Sequence, residues 1–121
     1  MIKLIRGFKD VLPGETAVWQ YIEKRSRELF ADFGYQEIII PIMERTELFA
    51  RSIGEDTDIV EKEMYTFPDR KGDLITLRPE ATASICRSYI QHKMYAEDPM
   101  QKLFMVGPMF RRERPQKGRY R

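Results

Sequence analysis

The chain has 121 residues, 42% of them hydrophobic and 12% aromatic, which fits one domain with a buried core and excludes a disordered chain. Its single cysteine, Cys86, excludes an internal disulfide, and the charged opening with Lys3, Arg6, Lys9 and Asp10 does not read as a secretory signal. No apolar run approaches the roughly 20 residues of a membrane helix, the longest being Ile38 to Met43, so the expectation is a soluble, cytoplasmic protein with no membrane partner.

Arg6 to Gly14 carries loop punctuation at Gly7, Pro13 and Gly14 and reads as an ordered entry segment. From Glu15 to Phe33, Val18, Tyr21, Ile22, Leu29 and Phe33 recur at helical spacing, which predicts an amphipathic helix closed near Gly34. Tyr35 to Met43, rich in isoleucine, predicts a buried strand in which Pro41 marks an edge or a bulge. Thr46 to Ile53 predicts a short helix capped by Thr46 and ending at Gly54, followed by an acidic loop through Asp58. Glu63 to Phe67 and Leu74 to Leu77 predict a hairpin across the turn formers Pro68 to Asp73. Pro79 suits the first position of a helix from about Glu80 to Met94, with Ile85, Tyr89 and Ile90 on its inner side. Leu103 to Phe110 predicts a last strand, irregular at Gly107-Pro108. Hairpins are more evident in this order than regular βαβ crossovers, so the fold class is α+β, a mainly antiparallel sheet flanked by helices.

The net charge of +2 is unevenly spread. Arg111 to Arg121 holds five arginines and one lysine against one glutamate, a charge of +5 that leaves −3 on the rest of the chain. Such a segment suits an anionic ligand, a nucleotide or RNA phosphate, although composition alone favours a solvated basic tail. Gly107 to Arg121 reads as a strand entering a long basic loop, and alternation sends Arg111 and Glu113 to one face and Arg112 to the other. Arginine fits phosphate through its planar fork and constant charge, and Glu113 could accept from an exocyclic amine or hold a neighbouring arginine. A surface ion pair between Arg111 and Glu113 explains the same residues.

Glu80 and Thr82 fall in the first turn of a predicted helix. Their oxygens could accept from an ammonium group, or could simply favour the positive helix end and bond backbone. His92 has no second His or Cys at ligand spacing, so no metal site is expected. Cys86 reads as packing on the buried or half-buried side of its helix, and Trp19, Phe30 and the seven methionines read as core or interface material.

The fifteen residues from Gly107 to Arg121 resemble motif 2 of the class II aminoacyl-tRNA synthetases, in the form characteristic of histidyl-tRNA synthetases. Arg6-Gly7-Phe8-Lys9-Asp10-Val11-Leu12-Pro13 resembles that family's opening signature, and Gly34-Tyr35 through Pro41 to Glu44 resembles motif 1, which builds the class II dimer interface. Thr76-Leu77-Arg78-Pro79-Glu80-Ala81-Thr82-Ala83 resembles the strand-to-helix turn that holds the amino acid, with Ala81 where glycine is commoner. The added methyl narrows backbone approach to a ligand slightly.

The resemblance implies that residues 1–121 are the N-terminal half of a class II catalytic domain, stopped inside the motif 2 loop, with motif 3 and the anticodon-binding domain absent. It implies a histidine–tRNA ligase that activates histidine with ATP, with Mg²⁺ on the phosphates, transfers the histidyl group to tRNA(His), and forms a homodimer through motif 1. Arg111 is then the catalytic residue, bridging the amino acid carboxylate and the α-phosphate. Glu80, Ala81, Thr82 and Arg111 bind histidine; Arg111, Glu113 and Arg119, with Arg121, bind ATP; Arg114 and Gln116 face the tRNA acceptor end. The 121 residues alone are expected to have little or no aminoacylation activity. The regulatory subunit of ATP phosphoribosyltransferase, a synthetase-like binding protein of histidine biosynthesis, is a rival that the intact Arg111 to Arg121 loop disfavours. A structural or RNA-binding module that keeps only the fold is a second rival.

Overall fold

The structure, a computed structural model, describes residues 1–53 and 63–112. Its elements are α1 (Glu15–Asp32), β1 (Gln36–Glu37), β2 (Met43–Arg45), α2 (Thr46–Ile53), β3 (Thr66–Pro68), β4 (Leu74–Leu77), α3 (Thr82–Gln91), a 3-10 turn (Met94–Ala96) and β5 (Leu103–Phe104). Strand β4 is the centre of an antiparallel sheet in the order β2-β4-β3, while β1 and β5 pair in parallel as a separate ribbon. The class is α+β, as the sequence predicts.

Helix α1 matches its prediction to within a residue and closes in a Schellman pattern. Tyr35 N–H donates to Phe30 O at 2.8 Å and Gly34 N–H to Ala31 O at 3.0 Å, with Gly34 at φ 80°, where glycine carries no Cβ penalty. Its apolar face is not covered by the described residues: Tyr21, Ile22, Leu29 and Phe33 are all exposed, and no residue of α1 is buried. Phe30 does find neighbours, stacking on Phe104 with ring centroids 4.5 Å apart and tilting against Tyr35 at 5.6 Å.

The isoleucine run does not form the expected buried strand. β1 and β2 flank an irregular stretch in which Ile40 is buried while Ile39 and Ile42 are exposed. The carbonyl of Ile40 accepts from the Arg78 side chain and so has no strand as its partner, whereas Ile42 O accepts Arg78 N–H in register with the β2–β4 ladder. The last strand is likewise shorter than predicted. Among the described residues only Leu103–Phe104 pair, and the chain beyond reaches residue 78, where Pro108 O accepts from the Arg78 side chain and Phe110 N–H donates to Arg78 O.

The hairpin is present, with β4 at its predicted bounds and β3 shifted to Thr66–Pro68. Asp69 organises the turn, its Oδ1 accepting the N–H groups of Lys71 at 2.8 Å and Asp73 at 3.0 Å. Met64, expected in a strand, instead joins Phe49 and Ala83 in the core, with Leu48 and Ala50 packed against it. Helix α2 has its predicted bounds, while Gly54 and the acidic loop lie outside the described residues. Thr46 is its first helical residue, and its hydroxyl bonds Thr76 Oγ1 at 2.7 Å.

Helix α3 is shorter than predicted at both ends. Glu80 and Ala81 precede it, His92 caps it, and Lys93 turns left-handed at φ 50° before the 3-10 turn. Two positions on it are corrected: Ile90 is 65% exposed and Cys86 is exposed, so neither faces the core.

The fully buried hydroxyl of Thr76 joins Thr46 on one side and Thr66, at 2.8 Å, on the other, and so stitches β2–α2, β4 and β3 together. Thr76→Val keeps the shape and removes both hydroxyl bonds, and is expected to lower the unfolding free energy of the chain by about 1–2 kcal/mol in urea titrations.

Candidate functional site

Three segments distant in sequence converge where β4 ends: residues 40–42, the turn at 78–83, and residues 107–112. Arg78, the first residue after β4, is 4% exposed. Its Nε donates to Pro108 O at 2.9 Å and its Nη1 to Ile40 O at 3.1 Å. Its main-chain N–H donates to Ile42 O at 2.8 Å, and its own carbonyl accepts Phe110 N–H at 2.9 Å. Burial pushes the guanidinium pKa below its usual value, although an arginine remains charged at any relevant pH. Among the described residues no carboxylate pairs with it. Gly107 leaves it room: a β-carbon there would stand 2.5 Å from Arg78 Nη2.

The next residue, Pro79, is buried, and its carbonyl accepts Arg111 Nε at 2.9 Å. Arg112 N–H donates to Glu63 O at 2.8 Å. The N–H groups of Phe110 and Arg112 are thus both engaged, two residues apart, as on an extended chain. The candidate Arg111 is thereby tied to the start of the candidate turn.

Within that turn, both oxygens of the half-buried Glu80 carboxylate lie 3.2 Å from Ala83 N, so the side chain caps α3 and favours its positive end. An ionised carboxylate offers about four acceptor positions, so one capping N–H leaves capacity for a ligand ammonium. Ala81 is the half-buried residue before the helix and Thr82 is exposed on its first turn. A groove of ≈ 720 Å³ runs between α2 and α3, lined by Leu48, Arg51, Glu80, Thr82, Cys86 and Arg87 among others. Arg87 is fixed on its wall by Glu44, at 2.8 Å, and by Gln91.

Glu80, Ala81, Thr82 and Arg111 are therefore brought together. Glu113, Arg114, Gln116, Arg119 and Arg121 lie outside the described residues, and with them the expected sharing of a face by Arg111 and Glu113. Among the described residues no three His, Cys, Asp or Glu side chains cluster as a metal site, and no helix is long and apolar enough to cross a membrane. Sequence gives no sign of Arg78's burial: a charged residue between an alternating strand and a proline reads as a strand end facing water.

A family model described as histidyl-tRNA synthetase matches residues 7–121. The histidine–tRNA ligase of Desulforapulum autotrophicum is 77% identical over 121 residues, all of this chain and 28% of that protein. That of Geobacter sulfurreducens is 62% identical over 121 residues and 29% of its length. The chain thus spans under a third of the relatives it matches. Among solved structures, apo S. aureus histidyl-tRNA synthetase superposes with a TM-score of 0.77 at 48% identity, over 92% of this chain and 30% of that one. A Bacillus halodurans C structure titled as an ATP phosphoribosyltransferase regulatory subunit/histidyl-tRNA synthetase has a TM-score of 0.76 over 92% of this chain and 28% of that one, but its 23% identity speaks to fold alone.

Proposed function

Because the chain belongs to the histidyl-tRNA synthetase family, we propose that it forms the first part of the catalytic domain of a histidine–tRNA ligase. The ligase activates histidine with ATP: the amino acid carboxylate attacks the α-phosphorus, pyrophosphate leaves, and the histidyl group then passes to the terminal ribose of tRNA(His). Positioning and charge neutralisation dominate such chemistry, with little covalent work for protein groups.

The observation that carries this reading is the 2.9 Å bond from Arg111 Nε to Pro79 O. It sets the arginine that would meet the α-phosphate beside the turn that would hold the amino acid. Arg111 neutralises charge developing between the carboxylate and the α-phosphate. Glu80 and Thr82 accept from the substrate's ammonium, with Ala81 providing backbone beside it. Glu113, Arg119 and Arg121 contact ATP, and Arg114 and Gln116 meet the tRNA acceptor end. Mg²⁺ would accompany the ATP phosphates. A homodimer through residues 34–44 accords with the apolar surface there, where Ile39 is 91% exposed.

The regulatory-subunit alternative rests on likeness of fold, and the basic sequence from Arg111 to Arg121 has no evident use in a protein without ATP or tRNA duties. Histidine-dependent ATP–pyrophosphate exchange by the full-length protein carrying this segment separates the two.

In that protein, Arg111→Ala is expected to lower exchange by about 100-fold or more, the scale of one lost electrostatic contact; an unchanged rate removes Arg111 from the chemistry. Glu80→Gln is expected to raise the histidine KM by about tenfold, as for a lost charge-assisted hydrogen bond, and to leave the ATP KM near its starting value. A histidine KM that does not move reduces Glu80 to a helix cap. The isolated 121 residues are expected to show no measurable exchange, and histidine-dependent exchange by them would overturn that expectation.

A further inference from the structure

We propose that Arg78 is a positioning residue for the activation step, acting through Arg111 by fixing the segment that carries it. This deepens the ligase reading and rests on it. A buried guanidinium that faces, among the described residues, main-chain carbonyls alone is a poor way to gain stability, since apolar residues of similar volume commonly serve as well or better. What a guanidinium supplies is direction: its donors form a rigid plane, and two acceptors bonded to it are held at a set separation. Here those acceptors are Ile40 O and Pro108 O, on chain segments 68 positions apart.

The main chain of the same residue continues the clamp. Its carbonyl holds Phe110 N–H, and the adjacent Pro79 O holds Arg111 Nε. Positions 108, 110 and 111 are therefore all referenced to residues 78–79, directly before Glu80. Displacing the Arg78 guanidinium frees Pro108 and lets Arg111 shift relative to the Glu80–Thr82 turn. Gly107 belongs to the device, because the space its missing β-carbon leaves is where Arg78 Nη2 stands.

The test uses histidine-dependent ATP–pyrophosphate exchange by the full-length protein carrying this segment. Arg78→Lys, Arg78→Met and Gly107→Ala are each made alone and together with Arg111→Ala. With Arg111 present, Arg78→Met and Gly107→Ala are expected to lower exchange kcat by about 100-fold, the cost of misplacement near 1 Å. Arg78→Lys is expected to fall less, because its ammonium can still donate to one of the two carbonyls. With Arg111→Ala, the same changes are expected to cost no more than about twofold, because the partner they act through is gone. A merely structural role predicts equal fold-losses in both backgrounds, and that result overturns the proposal, as does unchanged kcat in Arg78→Lys and Gly107→Ala. Should Arg78→Met not fold, Gly107→Ala still decides, since it adds one methyl against the far end of a side chain. Lack of exchange by the unsubstituted protein instead overturns the ligase reading itself.

Discussion

A guanidinium taken out of water must find acceptors, and Arg78 finds them in backbone from two distant segments. Among the described residues no carboxylate meets it, and burying a guanidinium on carbonyls alone is costly, so the arrangement persists only where the chain presents those carbonyls at the right angles. That requirement shapes its neighbours. The carbonyl of Ile40 turns toward the Arg78 side chain, where the isoleucine pattern would continue a strand, while Ile42 O bonds Arg78 N–H in line with the β2–β4 ladder. Pro108 tolerates the same geometry because it has a carbonyl to give and no N–H to leave stranded. The irregular stretches on both sides of the candidate site thus share the Arg78 guanidinium as a hydrogen-bond partner.

Much of the local structure was legible in sequence. α2 and β4 have their predicted bounds and α1 ends where Gly34 signals, because caps, turn formers and short-range periodicity are encoded within a few residues. What failed depends on partners far along the chain. Val18, Ile22 and Leu29 form a helical stripe, but a stripe states only that a face is apolar; among the described residues nothing covers it. Ile90 and Cys86 failed in the same way, since the inner side of α3 is set by what α2 and residue 64 place against it.

For the candidate site, chemistry was legible and assembly was not. Residue types alone leave helix capping and a surface ion pair open for Glu80, Thr82 and Arg111, and the family resemblance nominates them, while the bond from Arg111 to Pro79 joins positions 32 apart, which no local pattern encodes. Arg78 is the sharper case. It stands inside the Thr76 to Ala83 run, yet its neighbours in sequence suggest an exposed strand end, and only the fold reveals that it is 4% exposed.

Glu80 shows that the structural and functional readings of one residue need not compete. As a cap it accepts from Ala83 N–H and is held there by the field of the helix terminus. A carboxylate so held would lose little further freedom on meeting the proposed ligand ammonium, so the cap would lower the ordering cost of such binding. Thr76, at the other end of the same run, anchors β4 through Thr46 and Thr66. Between the two, Arg78 and Pro79 are buried and carry the bonds to the arginine segment. The turn is therefore fixed from both ends before any ligand arrives, which is the condition under which electrostatic positioning is most effective.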